Sequence, residues 1–163
     1  MGTRRCSGLA ALLAVIFMAM AGLASEARAQ VAFGAEALFG SDTDFGIGGR
    51  VQADLKTSIP LDVAGSFDLF FPDGPADYWE INGNVWYPIH IPRVSGVPYI
   101  GGGLNIGHFD PGGDGDSDTD LSLNVGGGYR FNFTKTSPFL EARFTLGGVE
   151  QFVIGGGVLL GWF

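Results

Sequence analysis

The chain has 163 residues, 46% of them hydrophobic and 16% charged, with a formal net charge of −8. That length is one domain's worth. Nine Lys and Arg against seventeen Asp and Glu exclude the basic footprint of a nucleic-acid binder, and a lone cysteine, Cys6, excludes a disulfide framework.

Residues 1–29 have the order of a cleavable signal peptide. Arg4 and Arg5 precede the apolar run Gly8 to Ala24, and the small-x-small site Ala27-Arg28-Ala29 follows it. The run only reaches the lower edge of spanning length, so cleavage after Ala29 is expected rather than retention as an anchor. Arg4-Arg5 hints at twin-arginine export. That route carries folded cargo, and the general secretory route is the one expected. Cys6 lies ahead of the apolar run, not after it as a lipoprotein cysteine would, and leaves with the leader.

From Gln30 onward there is no helical period, and strands follow one another. Val31 to Gly40 is the first. In the second, Phe45, Ile47, Gly49, Val51, Ala53 and Leu55 oppose Asp44, Gly46, Gly48, Arg50, Gln52 and Asp54. In the third, Ile59 to Phe71, the apolar odd positions oppose Asp62, Ala64, Ser66 and Asp68. In the fourth, Trp79, Ile81, Val85 and Tyr87 oppose Glu80, Asn82, Asn84 and Trp86. Val97 to His108 is a fifth. Thr119 to Thr134 carries Leu121, Leu123, Val125, Tyr129, Phe131 and Phe133 on one face and Asp120, Ser122, Asn124 and Arg130 on the other. Leu140, Ala142, Phe144 and Leu146 oppose Glu141, Arg143 and Thr145 in a seventh, and Glu150 to Phe163 is an eighth, apolar on both faces.

About eight strands of this length, each with one apolar face, predict an all-β fold. The form expected for residues 30–163 is an antiparallel up-and-down transmembrane β-barrel. An even strand count puts both termini on one side. Lys56 to Ser58, His90 to Gly96 and Thr134 to Ser137 then become periplasmic turns. Ser41 to Thr43, Pro72 to Asp77, Phe109 to Thr119 and Gly147 to Gly148 face outward, the longest and most acidic among them.

A soluble, lipocalin-like barrel would alternate in the same way with its faces reversed. Its wet face would be rich in Lys, Glu, Arg and Thr. The polar face here is mostly Gly, Ala, Ser and Asn with sparse charges of both signs, as a narrow, crowded lumen requires. Within it Glu36, Asp54, Asp62, Asp68, Glu80 and Glu141 are expected to neutralise Arg50, Arg130 and Arg143, since each unpaired buried charge costs several kcal/mol, and the excess of acids places some near the barrel ends or in internal water. Aromatic residues fall in two bands, Phe39, Phe45, Phe71, Trp79 and Phe152 on one side and Tyr87, Tyr99, Phe131, Phe133, Phe139 and Trp162 on the other. Such bands fit the two membrane interfaces.

The terminal stretch Gly155 to Phe163, ending in Trp162-Phe163, and the glycine-rich strands Tyr99 to Leu104 and Val125 to Tyr129 resemble the small OmpA-like and opacity-type outer-membrane barrels. The resemblance implies a place in the bacterial outer membrane among lipid and lipopolysaccharide. It implies that the barrel assembly machinery reads Trp162 and Phe163 as an assembly signal, and that the barrel is a monomer. Such barrels include tethering, adhesive, channel-forming and lipid-modifying proteins, so activity has to be read from residues.

Asp114, Asp116, Asp118 and Asp120 alternate through the acidic loop, a spacing that can wrap oxygen ligands around Ca²⁺. It is not an EF-hand, since the sixth position counted from Asp114 is Thr119 rather than Gly and the twelfth is Val125 rather than Glu. A solvated acidic loop is the expectation, with Ca²⁺ as the alternative and no other cofactor. For lipid A-modifying chemistry only His108 lies at the outer rim, with Ser41, Ser117 or Asp110 as conceivable partners. Gly107-His108-Phe109-Asp110 lacks the serine of the lipid A deacylase pattern. The expected function is therefore a non-enzymatic envelope-structural or surface-interaction barrel whose lumen is plugged by ion pairs. A narrow channel for small or hydrophobic solutes is the alternative, and a lipid A-modifying enzyme the third reading.

Overall fold

The computed structural model describes residues 30–161 apart from 57, 114, 134 and 149. The expected leader, Asp114 of the acidic loop and the expected assembly signal Trp162-Phe163 lie outside the described residues. Eight strands follow one another: β1 (Gln30–Gly40), β2 (Asp44–Asp54), β3 (Asp62–Phe71), β4 (Asp77–Pro88), β5 (Val97–Asp110), β6 (Asp118–Arg130), β7 (Thr136–Leu146) and β8 (Gln151–Leu160). Each pairs antiparallel with its sequence neighbours, and β1 closes on β8 from Phe33↔Leu160 to Gly40↔Val153. Closure leaves no strand edge, so every ladder can satisfy its backbone polar groups within the sheet.

The period of two decides which side chains enter the lumen. Along β4, Tyr78, Glu80, Asn82, Asn84 and Trp86 are buried while Val85 and Tyr87 are exposed. Along β8, Gln151, Val153 and Leu159 point in and Phe152, Ile154, Val158 and Leu160 point out, which fixes the face that composition left ambiguous. The outside is apolar: Phe33, Ile47, Ile100, Leu121, Leu123, Leu140 and Phe144 are each about half exposed or more. A water-soluble barrel would bury such residues.

Several strand ends depart from the expected limits. At the mouth away from the termini, pairing runs further than expected, with Phe109↔Asp118 and Asp77↔Asp110 still in register. This shortens the acidic connection to residues 111–117. At the mouth holding the termini, β2 ends at Asp54, β3 begins at Asp62 and β6 ends at Arg130, short of the expected limits, while β7 begins at Thr136, inside an expected turn. Lys56 (φ 47) and Arg93 (φ 68) adopt left-handed backbone, and residues 55–61, 89–96 and 131–135 connect the strands. The expectation that the longest connection, the acidic one, lies away from the termini is corrected by these limits. The longest, 89–96, lies at the mouth holding the termini, and 111–117 matches 55–61 in length. Gly96 (φ 131) is needed where the 89–96 connection turns back, because a Cβ there would meet the Tyr129 ring at 2.6 Å.

Candidate functional site: a lumen closed by collars and ion pairs

The lumen is layered along the barrel axis. Near the mouth away from the termini, Leu38, Phe70, Tyr78 and Val153 form a buried apolar cluster joined by Phe109. Near the other mouth, two clusters, Ala32 with Phe139 and Leu159, and Ala64 with Trp86 and Tyr99, form a second collar. Between the collars the inward positions are polar. Alternation brings this about directly, since β3 places Asp62, Ala64, Ser66, Asp68 and Phe70 in one inward row, with apolar Ala64 and Phe70 bracketing polar Ser66 and Asp68.

Two arginines organise the middle layer. Arg50 on β2 donates from both terminal nitrogens to Glu141 on β7, Nη1 to Oε2 and Nη2 to Oε1, each at 2.7 Å. Its Nη2 also lies 2.9 Å from Glu36 Oε2 on β1. The guanidinium rests over the Phe139 ring at 4.4 Å, and Tyr99 Oη donates to Glu141 Oε2 at 2.9 Å, so the collar's aromatics orient the ions beside them. Arg143 on β7 donates from Nη2 to Asp68 Oδ2 on β3 at 3.0 Å and to Glu80 Oε1 on β4.

Asparagines complete this layer. Asn82 Nδ2 donates to Asp68 Oδ2 at 2.9 Å, Asn105 Nδ2 to Glu80 Oε2 at 2.8 Å, and Asn124 Nδ2 to Asn82 Oδ1 at 2.7 Å. Thr145 Oγ1 donates to Asn124 Oδ1 at 3.1 Å. Sequence reasoning put Asn82, Asn84 and Asn124 on the polar face without giving them a part. Their parity with Glu80 and Arg130 was the signal available.

The third arginine sits outside the collar. Arg130 Nη1 donates to Asp62 Oδ2 at 2.7 Å, and Gln52 Nε2 donates to the same oxygen at 3.1 Å. Above this pair the mouth that holds the termini opens as a cup of about 430 Å³, with Asp54, Lys56, His90 and Asn132 on its wall. Asp54 was expected to pair with a lumen arginine. Instead its carboxylate lies 2.6 Å from the exposed Lys56 ammonium at the rim, because β2 ends there and the chain turns back on itself. Tyr99 and Phe139, expected in the interfacial band, are likewise inside the barrel, only 4% and 2% exposed. They share parity with Asn105 and with Glu141.

Of the acidic loop, Asp116 and Asp118 are exposed and Asp120 is half-buried. Asp118 Oδ1 accepts from the Thr119 backbone N–H at 2.8 Å, and Asp110 Oδ1 from that of Gly112 at 2.9 Å. Among the described residues no three His, Cys, Asp or Glu side chains gather to hold a metal ion. On the outer face His108 stacks on Trp79, ring centroids 5.0 Å apart, and its Nδ1 lies 2.7 Å from Thr119 Oγ1. Thr119, and none of the partners expected for His108, occupies that position.

No family model matches the chain, and no curated protein matches it. Solved structures do. The N-terminal β-barrel domain of Pseudomonas aeruginosa OprF is similar at 19% identity and a TM-score of 0.65, covering 81% of this chain and 98% of that one. Neisserial surface protein A is similar at 18% identity and a TM-score of 0.60, covering 82% and 96%. A major outer membrane protein from Thermus thermophilus is similar at 14% identity and a TM-score of 0.53, covering 80% and 98%. At such identities the likeness is one of fold. This chain thus has the closed, eight-stranded antiparallel fold of small outer-membrane β-barrels.

Proposed function

We propose that the mature chain is a non-enzymatic, closed barrel of the bacterial outer membrane with an envelope-structural role, exported by the general secretory route and handed to the barrel assembly machinery. The observation that carries this reading is the filled lumen. Arg50 lies between Glu36 and Glu141, and Arg143 between Asp68 and Glu80, with apolar collars on both sides. A solute passing through would have to break charge pairs that are out of water, and breaking such a pair costs about 3–5 kcal/mol.

The structural role is favoured over an adhesive one by the short connections at the mouth away from the termini, which is the cell-exterior side in barrels of this kind. They offer little surface to a partner beyond lipid and lipopolysaccharide. A narrow channel is the competing reading. Planar-bilayer recording on refolded residues 30–163 separates the two: a silent membrane supports the closed barrel, and reproducible single-channel steps overturn it.

The His108–Thr119 contact keeps the lipid-modifying reading testable. A base beside a hydroxyl also needs a group that orients the base. Release of acyl chains from lipopolysaccharide by the wild-type protein, lost in H108A, would overturn the non-enzymatic reading.

A further inference from the structure

The outward apolar face of β4 does not stop where the strand stops. Trp79, Ile81, Val85 and Tyr87 share a parity that Ile89 and Ile91 continue into the connection. Pairing continues too, because Ile89 N–H donates to Pro98 O at 2.8 Å. Pro98 is in turn the register partner of Tyr129, so Ile89, Pro98 and Tyr129 make one outer row across three strands. Phe131 packs edge-on against Tyr129 at 4.8 Å. At the turn itself Val94 N–H donates to Ile91 O at 3.3 Å, with Arg93 exposed between them.

Ile91 and Val94 are 47% and 46% exposed, yet His90 lines the cup on the other side. Inside and outside are thus still distinguished beyond the strand. From Trp79 to Ile91, at ~3.3 Å per residue and a tilt of ~40°, the outer apolar face is ~30 Å tall, against ~25 Å for an ordinary band. Apolar surface continuous with the lipid-facing band, tipped by a cation and free of acids from Ile89 to Gly96, matches acyl chains beneath a layer of phosphates.

We propose that the β4–β5 connection is an interfacial anchor, with Ile89, Ile91 and Val94 seated in the periplasmic-leaflet phospholipid and Arg93 at its phosphates. The anchor gives the barrel a one-sided extension of its lipid contact. The inference rests on the membrane-spanning reading above, and the test keeps the two apart.

Because Cys6 is the chain's only cysteine, residues 30–163 accept single-cysteine spin labels cleanly. I91C and I89C are compared with V85C in the mid-band and S95C at the turn, all refolded into phosphatidylethanolamine–phosphatidylglycerol vesicles. Folding is verified by heat-dependent gel mobility. Labels at 89 and 91 are expected to collide with oxygen more readily than at 95, though less than at 85, and several-fold less with a water-soluble nickel chelate than at 95. Chelate access at 91 equal to that at 95, with 85 protected, overturns the anchor alone. Chelate access at 85 overturns the membrane reading itself. Dipolar broadening between labels at 91 on separate chains assigns the surface to a second copy and likewise overturns the anchor.

Discussion

Removing the cation of the Arg50 cluster and then removing its acids should give opposite results. Arg50 and both of its carboxylates are almost wholly shielded, with side-chain exposures of 2% for Arg50, 0% for Glu36 and 5% for Glu141. Arg50→Met leaves the two acids, which flank β8 from β1 and β7, with no cation between them. Losing one partner of a buried pair costs about 3–5 kcal/mol, and the bidentate grip on Glu141 puts this case in the upper part of that range. The triple variant R50M/E36Q/E141Q removes the uncompensated charge and should recover all but ~1 kcal/mol, since replacing every partner of a buried ion pair is close to neutral. Urea unfolding from lipid vesicles, followed by tryptophan fluorescence and gel mobility, reads both. A single variant within ~1 kcal/mol of wild type, or a triple variant no better than the single, would refute the claim that these ions form one buried network.

Other expectations follow from the same packing. Gly103→Ala drives a Cβ towards the backbone of β4, with Asn84 Cα at 2.7 Å, and should cost about 1–3 kcal/mol. Gly83→Ala on the open outer face has nothing within 4 Å and should be neutral by the same unfolding assay. The double variant D116N/D118N, altering two exposed side chains, should change stability by less than ~0.5 kcal/mol with or without millimolar Ca²⁺. A Ca²⁺-dependent rise in wild-type stability that the variant loses would instead assign the loop an ion.

Strand order and facing were legible because alternation is local. Asp120, Ser122 and Asn124 against Leu121, Leu123 and Val125 declare their faces within six residues. β8 was not legible, because its inward Val153 and Leu159 are themselves apolar and join the collars at the two ends. The same end-capping hid Tyr99 and Phe139, whose composition suggests an interface although their parity puts them inside.

The charged residues of the lumen could be named from the polar face, but their pairing could not. Arg50 meets Glu141 across a separation of 91 residues, a contact made only when β1 closes on β8 and brings β7 round to face β2. Asp54 shows the reverse, a lumen-parity acid whose partner, Lys56, is two residues away. The asparagine chain from Asn105 through Asn82 to Asn124 likewise depends on the registers of β4, β5 and β6.

Whether the apolar face is outside and wetted only by lipid is tested most directly by cell fractionation. The full chain, residues 1–163, expressed in a Gram-negative host should sediment with the outer membrane and be released as a folded species by detergent but not by salt or alkali. Recovery of the mature chain from the periplasm as a soluble monomer without detergent would contradict it.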